Sequence, residues 1–444
     1  MNIPQITSPR VVIIGGGFGG IALAKKLAKR EVQVVMLDKH NYHTFQPLLY
    51  QVSTGGLEPD SIAYPIRKIV SRYPNFYFRL ANVTNIDPDA KKIETDIGPL
   101  KYDYLVLATG SKTNFFGNKE IEINSMIMKT VPDALNLRSL ILQNFEKALL
   151  TDSLDEQDSL MNFVIVGGGP TGVELAGALA EIKKGILPKD YPDLDTRRAQ
   201  INIVQSSERV LDGMSEIASQ KAEEFLEKMG VNIWKDTLVT GYDGDIVSTN
   251  TDLTFRTATL IWAAGVEGDL IDGLKTSECL MPGNRLKVNA YNQVTHYKSI
   301  YAIGDIACMA SKENPRGHPM VAQVAIQQGT HLGENLLKIL AKKNDLKPFV
   351  YKDKGTMATI GRNKAVVDLK HWKFQGFFAW FVWMFVHLLS LIGFRNRAIV
   401  FVNWVYNYIR FDRAARLIIR PYKKELQIKN IKVKTKEPAK VTTT

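Results

Sequence analysis

Two glycine-rich turns, each placed between an apolar strand and a helix, constrain this chain more than any other feature. The first, GGGFGG at Gly15 to Gly20, follows Val11-Val12-Ile13-Ile14; the second, GGGPTG at Gly167 to Gly172, follows Phe163-Val164-Ile165-Val166. In a GxGxxG turn one glycine closes the bend, one lets the backbone approach a pyrophosphate, and one permits close helix–strand packing, leaving phosphates at a helix N-terminus. Gly15, Gly17 and Gly20 keep that spacing, and so do Gly167, Gly169 and Gly172. One such motif alone is often only a turn. Two of them, about 150 residues apart, imply two dinucleotide sites.

The two turns lead into different segments. After the first, a stretch rich in Ala, Leu and Lys and then Val34-Val35-Met36-Leu37 lead to Asp38, where a ribose-binding carboxylate belongs. After the second, an insertion roughly covering Lys183 to Gln200 precedes Ile201-Asn202-Ile203-Val204, and that strand ends at Gln205. The acidic residue is absent there.

At 444 residues with 45% apolar side chains the chain has length for two or three domains and a large core. Its two cysteines, Cys279 and Cys308, form no CxxC and no metal-spaced cluster, which argues against a disulfide scaffold, a redox dithiol and a metal site. No signal-like apolar segment precedes the first strand, so a cytoplasmic start is expected.

The net charge of +12 is concentrated at one end: from Arg395 onward thirteen Lys/Arg face three Asp/Glu. Just before this tail runs FQGFFAWFVWMFVHLLSLIGF, Phe374 to Phe394, twenty-one residues with Gln375, His387 and Ser390 as polar interruptions. Apolar surface beside basic residues points to anionic lipid rather than nucleic acid. A span of the bilayer would carry the basic tail to the far side from the other domains, against the positive-inside tendency. Two helices lying in the interface fit better, with Trp404, Tyr406 and Tyr408 at headgroup level; a buried soluble helix is the remaining alternative.

Between these landmarks, Tyr102 to Gly110 (YDYLVLATG) reads as a buried strand ending in a small-residue turn, and Leu260 to Gly265 (LIWAAG) repeats it at the interval that separates the fingerprints. One dinucleotide domain inserted in another explains the repeat, with the chain returning to the first domain at Ile300-Tyr301-Ala302-Ile303 and then Gly304-Asp305. The expected fold class is α/β: two Rossmann-like dinucleotide-binding domains, one inserted in the other, plus a C-terminal membrane-anchoring helical region.

The fingerprints, the turns at Ala108-Thr109-Gly110 and Ala263-Ala264-Gly265 and the Gly304-Asp305 pair together resemble the two-dinucleotide-binding flavoprotein reductases. FQPLLYQVSTG at Phe45 to Gly55, AQVAIQ at Ala322 to Gln327, ATIGRNKAVV at Ala358 to Val367 and VHLLSLIGFRNR at Val386 to Arg397 are similar to the type II NADH:quinone oxidoreductases. That resemblance covers nearly the whole chain. It implies an FAD-binding domain in two parts, 1–120 and 276–345, an NAD(P)H-binding domain at 121–275, and a membrane-association region with a basic tail at 346–444. Sulfide:quinone oxidoreductases share the architecture but need paired cysteines near flavin, which this chain lacks.

For FAD the resemblance implies Gly15, Gly17, Phe18, Gly19, Gly20, Asp38, Lys39, Gln46, Val83, Ala108, Thr109, Gly110, Gly304, Asp305 and Ala322, with Asp305 also readable as an ordinary helix cap. For the nicotinamide cofactor it implies Gly167, Gly169, Pro170, Thr171, Gly172, Gln205, Ala264 and Gly265. Gln323 and Gln327, four apart on one helix face, would bind flavin and quinone carbonyls, or form a plain polar face. Glu174, read as lying in the first turn of the second fingerprint helix, would orient nicotinamide or assist proton delivery to quinone, although the helix dipole alone favours a carboxylate there. Hydride would pass from NADH, with NADPH possible because of Gln205, to flavin, and two electrons then to a membrane quinone, with no ion pumped. The expected partners are anionic lipid, quinone and a second copy of the chain, on the cytoplasmic face of the inner membrane.

Overall fold

A computed structural model describes residues 1–423 except 275, 313, 411 and 414. The part of the basic tail beyond 423 lies outside the described residues. The chain forms two compact units.

The first unit comprises Met1–Thr44, Ala63–Thr113 and Val266–Lys354. Its centre is a five-stranded parallel sheet in the order Ile300–Ala302, Tyr104–Leu107, Arg10–Ile14, Gln33–Asp38, Phe76–Leu80. The central strands are continuous apolar runs because parallel sheets are covered on both faces, and Val11, Val12 and Ile13 have no exposure at all. On one face the fingerprint helix Phe18–Leu27 packs along the long helix Ala322–Leu340. Glycine makes that approach possible: a β-carbon on Gly329 would stand 2.3 Å from the Gly19 carbonyl oxygen.

The second unit comprises Phe45–Ile62, Asn114–Gly265 and the chain from Gly355 onward. It repeats the plan with a four-stranded parallel sheet ordered Asn232–Trp234, Gln200–Val204, Asn162–Val166, Thr259–Trp262. A three-stranded antiparallel sheet, Thr356–Thr359, Ala365–Asp368 and Lys373–Gln375, comes after it, then the helices Phe377–Ser390 and Phe394–Arg410. Two segments fall differently from the boundaries expected at 120 and 346. Phe45–Ile62 joins this unit because its short helix Leu49–Ser53 packs on the helices Val131–Ala148 and Pro170–Gly185, and the chain from Gly355 joins it because strand Thr356–Thr359 packs on the latter.

The apolar run of twenty-one residues is broken, since only the fourteen residues Phe377–Ser390 are helical before Leu391 extends and Gly393 turns with φ +89°. Fourteen residues reach ~21 Å at 1.5 Å each, short of a ~30 Å hydrocarbon core. No described helix is long and apolar enough to cross a membrane. The two helices are sided: Ala379, Trp383, Val400 and Trp404 are buried, while Phe377, Phe381, Phe385, Phe394, Phe401 and Val405 are exposed.

Candidate functional site

The two glycine turns carry the same geometry. Gly15 (φ +109°) and Gly167 (φ +111°) sit where a β-carbon would come within 2.2 Å of the Ala108 oxygen and 2.6 Å of the Ala263 oxygen, so each turn is seated on the small-residue turn of the neighbouring strand. A β-carbon on Gly20 or Gly172 would stand 2.0 Å from the oxygen of Gly15 or Gly167, the close helix–strand packing read from the spacing. Gly17 and Gly169 have no atom within 4 Å of that position. Neither of the fingerprint helices has a side-chain cap, so first-turn N–H groups face an open cradle of the kind a pyrophosphate fills.

Behind the first cradle, the Gly16 N–H donates to Asp38 Oδ2 at 2.6 Å; behind the second, the Gly168 N–H donates to Gln205 Oε1 at 2.7 Å. Gln205 therefore stands in the second unit where Asp38 stands in the first. Its amide nitrogen is also committed, donating to Ser207 Oγ at 2.5 Å. Pro170, Thr171 and Ala264 are exposed around the second cradle, and Gly265 is half-buried.

Around the first cradle, Phe18 opens the helix, Gly19 is buried beneath it, and Gly110 is half-buried after Ala108. The Thr109 hydroxyl is buried with no partner among the described residues, an acceptor and donor that suit a bound cofactor. Gly304 turns with φ +73°, and Asp305 Oδ2 accepts from the Ser111 hydroxyl at 2.6 Å. Lys39 is exposed and pairs with Asp269, and Ala322 opens the long helix. Val83 opens the strand Val83–Asp87, and Gln46, in the other unit, is exposed at the head of a short 3-10 turn.

Two residues of this site carry no sequence signature. His43 contacts the Gly16 oxygen through Nδ1 at 3.0 Å and packs edge-on against Phe18; burial drives its pKa down to about 4, so the ring is neutral at pH 7. Arg285 is buried and donates to the backbone carbonyls of Asp305, Ala307, Arg316 and His318. It fixes the turn that presents Asp305.

Gln323 and Gln327 do share one helix face, but their amides are engaged by protein backbone. Gln327 exchanges two bonds with Lys352, donating to its oxygen at 2.9 Å and accepting from its N–H at 3.0 Å, and Gln323 Oε1 accepts from the Lys354 N–H at 3.1 Å. The reason is physical: an extended segment has unpaired backbone groups, and side-chain amides four apart match it. Asn335 continues the pattern by exchanging two bonds with Lys347.

Glu174 departs from the expected first-turn position. The helix starts at Pro170, so Glu174 is in its second turn, facing inward and 8% exposed, and the dipole explanation lapses. Burial pushes its pKa up to about 8, against the Thr359 N–H at 3.5 Å and the Trp383 indole, which lies against it short of a full hydrogen bond. The carboxyl is thus protonated at pH 7.

A cavity of about 120 Å³ is lined by Tyr50, Thr359, Trp380, Trp383, Trp404 and Arg413, among others, and Glu174 lies behind Thr359 and Trp383 of that wall. The size of the cavity approaches the ~150 Å³ that admits one benzene ring. His387 stacks on Trp383 with ring centroids 4.1 Å apart, and burial pushes its pKa down to about 4, so a neutral ring backs that indole. Among the charged residues of the lining, Arg413 meets Glu181 at 2.6 Å and Thr54 Oγ1 at 2.5 Å, and the Arg362 N–H caps Glu181. An aromatic slot with a protonated carboxyl behind it suits a flat, neutral, reducible ring. Sequence reasoning found Glu174 but none of the cavity wall.

The model for pyridine nucleotide-disulphide oxidoreductases matches residues 9–329, and that for the NDH2 C-terminal domain matches 354–413. The type II NADH:quinone oxidoreductase Ndh of Mycobacterium tuberculosis is 34% identical over 91% of this chain and 89% of its own length. An internal alternative NAD(P)H-ubiquinone oxidoreductase A1, mitochondrial, of Arabidopsis thaliana is 30% identical over 90% of this chain and 84% of its own. The structure of NDH2 from Plasmodium falciparum in complex with NADH shares the fold, with a TM-score of 0.86, 22% identity, and coverage of 93% of this chain and all of that one.

Proposed function

Because this chain belongs to the type II NADH:quinone oxidoreductases, within the pyridine nucleotide-disulphide oxidoreductase family, we propose that it oxidises NADH and reduces a membrane quinone in respiration without pumping ions. FAD, when bound, supplies the chemistry of taking a hydride and releasing two electrons in a separate step. The residues around the first cradle fit such a group: the open backbone at Gly17, the carboxylate of Asp38 for a ribose, the orphaned Thr109 hydroxyl and the Asp305 turn. The second cradle, at Gly169, takes the nicotinamide cofactor.

At Gln205 no carboxylate repels a 2′-phosphate, so NADPH is accepted alongside NADH. The aromatic cavity receives the quinone ring. Glu174, neutral at pH 7, holds a proton beside it, and the surrounding indoles exclude water. Quinone reduction consumes two protons, and a carboxyl with a pKa near neutrality is suited to pass one on.

The exposed aromatic faces of the two C-terminal helices lie against an anionic bilayer on the cytoplasmic side of the inner membrane, as a peripheral or monotopic anchor, and the protein works as a homodimer. The single observation that carries the reading is the aromatic cavity with a protonated Glu174 behind its wall, in a chain that also carries two fingerprint cradles.

Steady-state oxidation of NADH by a short-chain quinone, with the flavin spectrum followed in parallel, tests it: many turnovers per flavin are expected. Reduction that stops after one equivalent would identify a flavin-bearing binding protein instead. For the anchor, Phe381→Ser with Phe401→Ser should weaken binding to anionic vesicles and leave the flavin content unchanged; undiminished binding would refute the lipid face.

A further inference from the structure

The wall of the cavity contains a hydrogen-bond chain whose direction can be deduced. The Trp404 indole Nε1 meets Gln51 Oε1 at 2.8 Å, and Gln51 Nε2 meets the Tyr50 hydroxyl oxygen at 2.9 Å. An indole N–H only donates, so the atom of the Gln51 amide facing it has to be the oxygen, and the NH2 therefore faces Tyr50. That NH2 can only donate. The Tyr50 oxygen is consequently an acceptor toward Gln51, and its own proton has to point elsewhere. Among the described residues no protein acceptor meets it, and the free side of Tyr50 lines the cavity.

The backbone beneath is held by the same C-terminal region. The Thr54 hydroxyl donates to the Tyr50 backbone carbonyl at 2.7 Å and is itself gripped by Arg413, and Asn407 donates to the Gly56 carbonyl at 3.0 Å. Trp404 and Asn407 lie on the inner side of helix Phe394–Arg410, whose outer side exposes Phe401 and Val405. One helix thus carries an exposed apolar face and the donor that sets the Gln51 amide in the cavity wall.

We propose that Trp404 is a positioning residue that acts through Gln51 to aim the Tyr50 hydroxyl into the cavity, as the hydrogen-bond donor to a quinone carbonyl. This rests on the reading of the cavity as the quinone site. Without the indole N–H, the Gln51 amide is free to flip, and the Tyr50 proton can turn to its oxygen instead of to the ligand.

The test uses the flavin-loaded enzyme in rapid mixing, with flavin reduction by NADH and flavin reoxidation by a short-chain quinone followed separately. Trp404→Phe keeps an aromatic ring, though a smaller one, and removes the donor; it should slow reoxidation about tenfold, the worth of one hydrogen bond, and leave reduction within about twofold. Gln51→Leu should do the same. Because both act on one chain, Trp404→Phe should add nothing in a Gln51→Leu background, a non-additivity that general loosening of the wall would not produce. Gln51→Glu, which still accepts from Trp404 but offers Tyr50 no donor, should match Gln51→Leu. Additive losses, or an unchanged reoxidation rate in Trp404→Phe, would overturn the proposal while leaving the quinone site intact. Unchanged reoxidation in Tyr50→Phe would instead show that quinone does not use this cavity.

Discussion

Glu174→Gln removes one ionisable group while keeping its shape and its acceptor for the Thr359 N–H. In the folded protein the carboxyl titrates at about 8, against an ordinary value of 4.5. Between those values the unfolded chain ionises Glu174 and the folded chain does not, so the unfolded state binds fewer protons and stability falls as pH rises through the window. At ~1.36 kcal/mol per pH unit, the interval from 4.5 to 7 amounts to about 3 kcal/mol of stability lost at pH 7. The glutamine variant has no such loss. Its stability relative to wild type should therefore rise by about 3 kcal/mol between pH 5 and pH 8, read from denaturant midpoints at each pH. Infrared difference spectra between the two proteins should show a protonated-carboxyl stretch at pH 7 that disappears with a midpoint near 8. Function should move in the other direction, since the amide cannot pass on a proton: flavin reoxidation by quinone should slow on the order of 10²-fold, as for loss of a general acid. A carboxyl band that titrates near 4.5, or two proteins whose relative stability does not change with pH, would refute the burial argument.

Gln205→Glu keeps the acceptor for Gly168, loses the donor to Ser207 and restores a charge near the ribose; kcat/KM for NADPH relative to NADH should fall by about tenfold or more, and an unmoved ratio would mean the side chain does not face the adenosine. Gly169→Ala puts a β-carbon where no protein atom lies within 4 Å, so flavin content and melting should hold while KM for NADH rises by about tenfold, through blocked approach of the backbone to phosphate. Gln327→Leu removes both bonds to Lys352 and should speed tryptic cleavage at Lys352 and Lys354; slower quinone reduction with unchanged cleavage would restore the amide to a ligand-binding role.

The features legible in the sequence were local ones. The fingerprint glycines, the small-residue turns and Asp38 each act within a strand–turn–helix unit, so their spacing states their geometry. The continuous apolar strands Val11-Val12-Ile13-Ile14 and Phe163-Val164-Ile165-Val166 sit at the centre of two parallel sheets for the same reason. Even Gln205 could be placed, because its position is measured along the chain from a glycine turn. Spacing was weaker for Gln323 and Gln327: a separation of four fixes the face of a helix, but nothing in it says that backbone from Lys352 to Lys354 covers that face. Sequence places Glu174 in the first turn after the second fingerprint; the helix begins at Pro170, which puts Glu174 one turn further along, where it is a buried acid.

The cavity was not legible because no motif spans it. Tyr50 and Gln51 come from a short helix, Ala178 and Glu181 from the second fingerprint helix, Thr359 from an antiparallel strand, and Trp383, Trp404 and Arg413 from the C-terminal region. Their association depends on Asn396 reaching the carbonyls of Asp60 and Ser61, and on Arg413 reaching Thr54 across more than 350 residues of chain. The apolar run that looked like a lipid anchor is therefore also a wall. Its outward phenylalanines follow from hydropathy, whereas its Trp380, Trp383 and Met384 line the cavity, a role that hydropathy cannot separate from the first. Removing the whole region to abolish membrane binding would unroof Glu174 as well, and the two functions of those helices come apart only in single substitutions on opposite faces: Phe401→Ser on the outer side should change vesicle binding, and Trp404→Phe on the inner side should change quinone reduction.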